Sequence, residues 1–118
     1  MNDIELKEKM IEQTSVWIEL ACQEFNIKIN PLEIVFDLTG SVAGQAWGTH
    51  KIRYNLFIAK NNFEQFINRT IPHEVAHIVE AKVYGRGGHG STWKKIMYKF
   101  QVEPTRCHSY DTSGKKSG

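Results

Sequence analysis

Cysteine is scarce. The chain holds two, Cys22 and Cys107, and neither has a C-x-x-C partner. That excludes a disulfide framework and a dedicated cysteine-ligated zinc site. Also missing is any apolar run long enough to cross a bilayer. The opening MNDIELKEKM is polar and mostly charged, without the apolar region of a secretory signal. These absences make the expected compartment the cytoplasm, with a nucleoid or nuclear association as the alternative.

What is present is an ordinary globular composition: 118 residues, 41% hydrophobic and 24% charged, enough for one modest core and one domain. The expected domain runs over residues 1–111, followed by a disordered tail over 112–118, TSGKKSG. Charge is unevenly spread. Residues 1–50 carry three Lys/Arg against eight Asp/Glu, a balance of −5, and residues 51–118 carry twelve against five, a balance of +7. A basic half suits an acidic or nucleic-acid partner, but an acidic first helix lying near the basic part would cancel much of that field.

Apolar residues recur at helical spacing from Asp3 to about Phe25, through Leu6, Met10, Trp17, Leu20, Ala21 and Phe25. After Asn30-Pro31, the stretch Leu32 to Leu38 reads as a strand with Ile34, Phe36 and Leu38 on one face. Val42 to Trp47 and Ile52 to Asn55 read as an antiparallel hairpin. Gly40, Gly44 and Gly48 suggest a bulge or a close approach, and an exposed strand edge there suits an extended peptide. His50 in the turn is read as a surface histidine.

The next apolar stripe, Phe63, Ile67, Ile71, Val75 and Ile78, runs through Pro72 and predicts one kinked helix over about residues 62–84, stopped by Gly85. A further helix over about 92–102, capped by Ser91, carries Trp93, Ile96, Met97 and Phe100, and a last strand is expected over 105–111. The fold class expected is α+β, three helices with a small, mainly antiparallel sheet, and the His73-Glu74-Val75-Ala76-His77 motif on the central helix makes it a minimal zincin-like domain.

The central helix carries His73-Glu74-Val75-Ala76-His77. This H-E-x-x-H spacing puts two imidazoles one turn apart on one face, where they can share a metal ion, with a glutamate beside the first to handle its water. Catalytic zinc takes three protein ligands, so a third is needed. Val83 and Glu80 stand where a metzincin has its third histidine and its glycine. Glu80 lies roughly 10 Å along the helix from His73, too far to share the ion. The glycine-rich connector allows His89 to return to the pair, with Glu103, Cys107 and His108 as the other candidates.

HEVAH followed by GHGSTWKKIM and preceded by AWGTHKIRYN resembles the SprT-like metalloprotease domain of bacterial SprT proteins and of Spartan, the eukaryotic DNA-protein crosslink protease. The likeness covers roughly residues 40–110. It implies Zn2+ held by His73, His77 and His89, with Glu74 catalytic, protein substrates, and association with DNA, single-stranded DNA included. Many members also carry a zinc ribbon with paired cysteines, which these 118 residues do not contain. The basic residues Arg86, Lys94, Lys95, Lys99 and Arg106 remain as candidate phosphate contacts.

The activity expected is zinc-dependent peptide hydrolysis with Glu74 as general base. Tyr54, Arg53, Tyr84, His108 and Tyr110 are candidates to stabilise the oxyanion. Two alternatives stand beside it: a non-proteolytic DNA-binding or regulatory module that retains its zinc, and a zinc-dependent ribonuclease. The second favours H-x-x-x-H-x-x-x-x-x-H, which Val83 breaks.

Overall fold

In the computed structural model, which describes residues 1–85 and 90–104, helix α1 spans Asp3–Phe25. Asn2 caps it reciprocally with Glu5: the Asn2 side chain accepts from the Glu5 amide at 2.8 Å, and the Glu5 carboxylate accepts from the Asn2 amide. Asn26, left-handed at φ 51°, ends it. Its buried line is Leu6, Met10, Thr14 and Ala21, with Trp17 and Phe25 half-buried beside it; Leu20, expected in the stripe, is exposed.

The sheet has three strands, β1 (Glu33–Val35), β2 (Gly44–Trp47) and β3 (Lys51–Tyr54), in the order β1-β3-β2. β2 pairs antiparallel with β3 as the hairpin predicts, and β1 pairs parallel to it, so the sheet is mixed. Ile34 and Ala46 flank the buried Ile52 from either side. Regular pairing in β1 covers only the middle of the expected 32–38 strand, although the Leu38 amide still reaches the Tyr54 carbonyl at 3.2 Å.

A short helix α2, Leu56–Asn61, follows directly. The sequence reading missed it, taking Asn55 as the end of a strand. Asn55 is its N-cap: fully buried, it accepts from the Ile58 amide through its side-chain oxygen and donates to the Gly40 and Val42 carbonyls.

Helix α3, residues 63–84, is the continuous element that Pro72 was expected to kink. It consists of an α turn at Phe63–Gln65, a π turn at Phe66–Thr70 and the α-helix Ile71–Tyr84. In the wide turn the Ile71 amide bonds back five residues to the Phe66 carbonyl. Continuing that register, residue 72 would donate to Ile67, but proline has no N–H. The Trp17 indole donates to the Ile67 carbonyl instead, at 3.2 Å. Trp17 is therefore a packing residue, as expected, its ring tilted 54° against that of Phe100 at 5.4 Å, and also a replacement donor.

Gly85, at φ 73°, closes α3. Helix α4 spans Ser91–Lys99, somewhat shorter than expected, with Gly90 rather than Ser91 at its N-cap, and buries Trp93, Ile96 and Met97. α1 and α4 pack on α3, and β2 also lies against α3. Among the described residues no helix is long and apolar enough to cross a membrane. The strand expected at 105–111 and the tail at 112–118 lie outside the described residues.

Candidate metal centre

The Ile71–Tyr84 part of α3 buries Ile71, Val75, Ile78 and Val79 and turns His73 and His77 to an adjoining face, each side chain 16% exposed. Their Nε2 atoms are 3.3 Å apart. Two nitrogens bound at zinc distances in a tetrahedral shell stand about 3.3 Å from one another. The pair is thus spaced as a chelate before any ion is considered, and the donor atoms of His73, Glu74 and His77 all lie within 4.8 Å of one another. This His-Glu-His cluster could hold a metal ion.

Glu74 is the buried member. Its Oε2 lies 4.0 Å from His73 Nε2, and burial pushes its carboxyl up to about 8. A cation held by the imidazoles acts in the opposite direction, favouring the ionised form in which this carboxylate accepts a proton. β2 closes over it. A Cβ built on Gly44 would stand 2.9 Å from Glu74 Oε2 and 3.0 Å from its Cγ, so only glycine lets the strand lie this near. The sequence offered three glycines for such an approach and did not say which one, or to what.

Trp93 of α4 forms the wall. Fully buried, it donates from Nε1 to the His73 carbonyl at 3.3 Å. Its ring meets the His73 ring edge-on at 4.8 Å and stacks on His77 at 5.5 Å with an 18° interplanar angle. Both imidazoles therefore have their orientation limited by one indole. Helical spacing marks Trp93 as apolar but does not say that it faces the histidines.

The other candidates divide clearly. Glu103 makes a 3.5 Å ion pair with Arg69 on the surface and is not in the cluster. His89, Cys107 and His108 lie outside the described residues, as do Arg86, Arg106 and Tyr110. Of the oxyanion candidates, Tyr54 is fully buried with its hydroxyl 2.8 Å from Thr14 Oγ1, and burial raises its pKa further. Arg53 is held on the far face of the sheet by Asp37 at 2.8 Å and Gln45 at 2.9 Å. Tyr84 is half exposed at the end of α3. Lys94, Lys95 and Lys99 are exposed on α4, with Lys99 3.9 Å from Glu24, and His50 is exposed in its turn.

A protein-family model described as the SprT-like family matches residues 14–112. Among curated proteins, one named Protein SprT from Pseudomonas putida is 34% identical over 110 residues, covering 86% of this chain and 67% of the relative. Protein SprT from Vibrio parahaemolyticus is 33% identical over 114 residues, covering 94% and 69%. Protein SprT from Pseudomonas syringae is 38% identical over 81 residues, covering 65% and 49%. No solved structure matches the chain.

Proposed function

The chain belongs to the SprT-like family, and from that membership and its paired imidazoles we propose that it is a zinc-dependent metalloprotease. The observation that carries this reading is the 3.3 Å approach of two Nε2 atoms beside a buried glutamate. That donor set, two neutral imidazoles with a carboxylate next to them, suits zinc and the hydrolysis of an acyl bond. His73 and His77 would hold the ion, with His89 proposed as the third ligand. Zinc, when bound, supplies an electrophile for the scissile carbonyl and acidifies water.

The chain's own groups do the rest. Glu74 takes the proton from the attacking water and returns it to the leaving amine. Gly44 leaves it room. Trp93 keeps water from one side of the imidazole pair and limits the rotation of both rings. The β2 edge runs past Glu74 and, among the described residues, pairs only with β3. An extended segment of a protein substrate laid along its other edge would pass close to Glu74, held by main-chain hydrogen bonds. The exposed lysines of α4, Lys94, Lys95 and Lys99, are the proposed contacts for DNA that brings substrate near.

The test is incubation with an unfolded protein substrate, with and without single-stranded DNA and a chelator, for the wild type and for Glu74→Gln. Cleavage that the chelator stops is expected. Glu74→Gln should keep zinc and lose turnover by about 100-fold or more. Full turnover by that variant would remove Glu74 from the reaction. Zinc binding and salt-sensitive DNA binding without cleavage by the wild type would favour the regulatory module instead.

A further inference from the structure

Glu80 is a buried carboxylate that the reaction above does not use. It sits on α3 one turn after His77, 2% exposed, among Ala76, Val79 and the docked face of α4. One oxygen, Oε2, accepts a hydrogen bond from Thr92 Oγ1. The other, Oε1, is buried with no hydrogen-bond partner among the described residues, and it lies 3.9 Å from His77 Nδ1. A buried carboxylate oxygen without a donor is costly, and the His77 ring 3.9 Å away turns its opposite nitrogen toward His73.

A neutral imidazole carries its proton on one nitrogen only. For His77 Nε2 to offer a lone pair to an ion, the proton must reside on Nδ1, and that is the nitrogen facing Glu80. α4 supports both sides of the ring through adjacent residues: Thr92 bonds the carboxylate and Trp93 stacks on the imidazole face.

We propose that Glu80 is the positioning residue for His77, its carboxylate accepting from Nδ1–H so that Nε2 is presented unprotonated toward the metal, with Thr92 holding the carboxylate in place. The 3.9 Å gap closes by a small movement of the ring or of the carboxylate when Nε2 takes up its ion. Carboxylates that orient a ligating imidazole in this way typically change metal affinity by about 10–100-fold. The proposal rests on the metal-centre reading and goes further than it, since Glu80 is too far along the helix to be a ligand with His73.

The informative variant is Glu80→Gln. Its single amide oxygen can keep the Thr92 bond, which turns the NH2 toward His77 Nδ1 and demands the opposite tautomer. Zn2+ affinity is measured by competition with a chromophoric chelator, and melting of the metal-free protein is followed by circular dichroism. The expected result is a 10–100-fold loss of zinc affinity with metal-free melting unchanged or raised, because a buried carboxylate oxygen without a donor has gone. Affinity within threefold of wild type, with wild-type zinc binding intact, overturns the role of Glu80 and leaves the metal centre standing. Lowered metal-free melting that accounts for the whole affinity loss assigns Glu80 to the α3–α4 contact alone and also overturns it. A wild type that binds no zinc sinks the metal reading itself and the proposal with it.

Should the variant fail to fold, the nitrogen chemical shifts of His77 in the metal-free wild type decide the matter. A neutral ring protonated at Nδ1 supports the assignment, and one protonated at Nε2 contradicts it.

Discussion

Gly44 has no side chain, and that is its contribution. The carboxylate of Glu74 fills the space where a Cβ would stand, with three of its side-chain atoms between 2.9 and 3.2 Å from that point. Gly44→Ala must therefore displace either the strand or the carboxylate, and a buried carboxylate has few other places to go. We expect Gly44→Ala to keep zinc affinity within a few-fold while turnover falls about 100-fold, as expected for a misplacement on the order of 1 Å. Unchanged turnover, measured on the same protein substrate, would mean that Glu74 is free to adjust. At this scale His73, Glu74 and His77 were legible because their relation is local: one helical turn fixes it. Gly44, Glu80 and Trp93 were not legible as site residues, since their meaning depends on how β2 and α4 dock against α3.

At the scale of elements, the approach to the paired histidines is set by the π turn at Phe66–Thr70 and by Trp17. Pro72 announced that the ladder would be disturbed, and the sequence placed the disturbance directly before His73. It could not show that α1 would supply the missing donor, because Trp17 and Ile67 are brought together only by the fold. If the indole does replace the proline's absent amide, the two sites are coupled. Trp17→Phe alone should cost about 1–2 kcal/mol for the orphaned Ile67 carbonyl, seen as a Tm several degrees lower. In a Pro72→Ala background, where residue 72 regains its amide, the same change should cost distinctly less; strict additivity in the double-mutant cycle would deny the coupling. α2 escaped the sequence reading for a related reason. Asn55 looks like a strand end, and its side chain caps α2 through the Ile58 amide while its NH2 is anchored by the Gly40 and Val42 carbonyls, which only the fold brings near. β1 was found as a strand, but its parallel partnership with β3 was set by chain routing that a three-residue pairing does not encode.

For the molecule as a whole, the division into an acidic first part and a basic second part is partly settled by contact between them. Lys60 meets Asp3 at 3.1 Å and Lys99 meets Glu24 at 3.9 Å, both pairs on the surface and each weak. The α+β arrangement converges on the candidate site: α3 carries the paired histidines, β2 covers Glu74, and α4 closes on the rings. That design has a direct test in the zinc content of the purified chain and in its stability with zinc restored after chelation. One zinc per chain is expected, lost on chelation and in His73→Ala or His77→Ala. Saturating the chelated wild type should raise its stability by about 2.7 kcal/mol when free zinc is a hundred times the Kd. A folded chain that is purified without metal and gains nothing from added zinc would contradict the account.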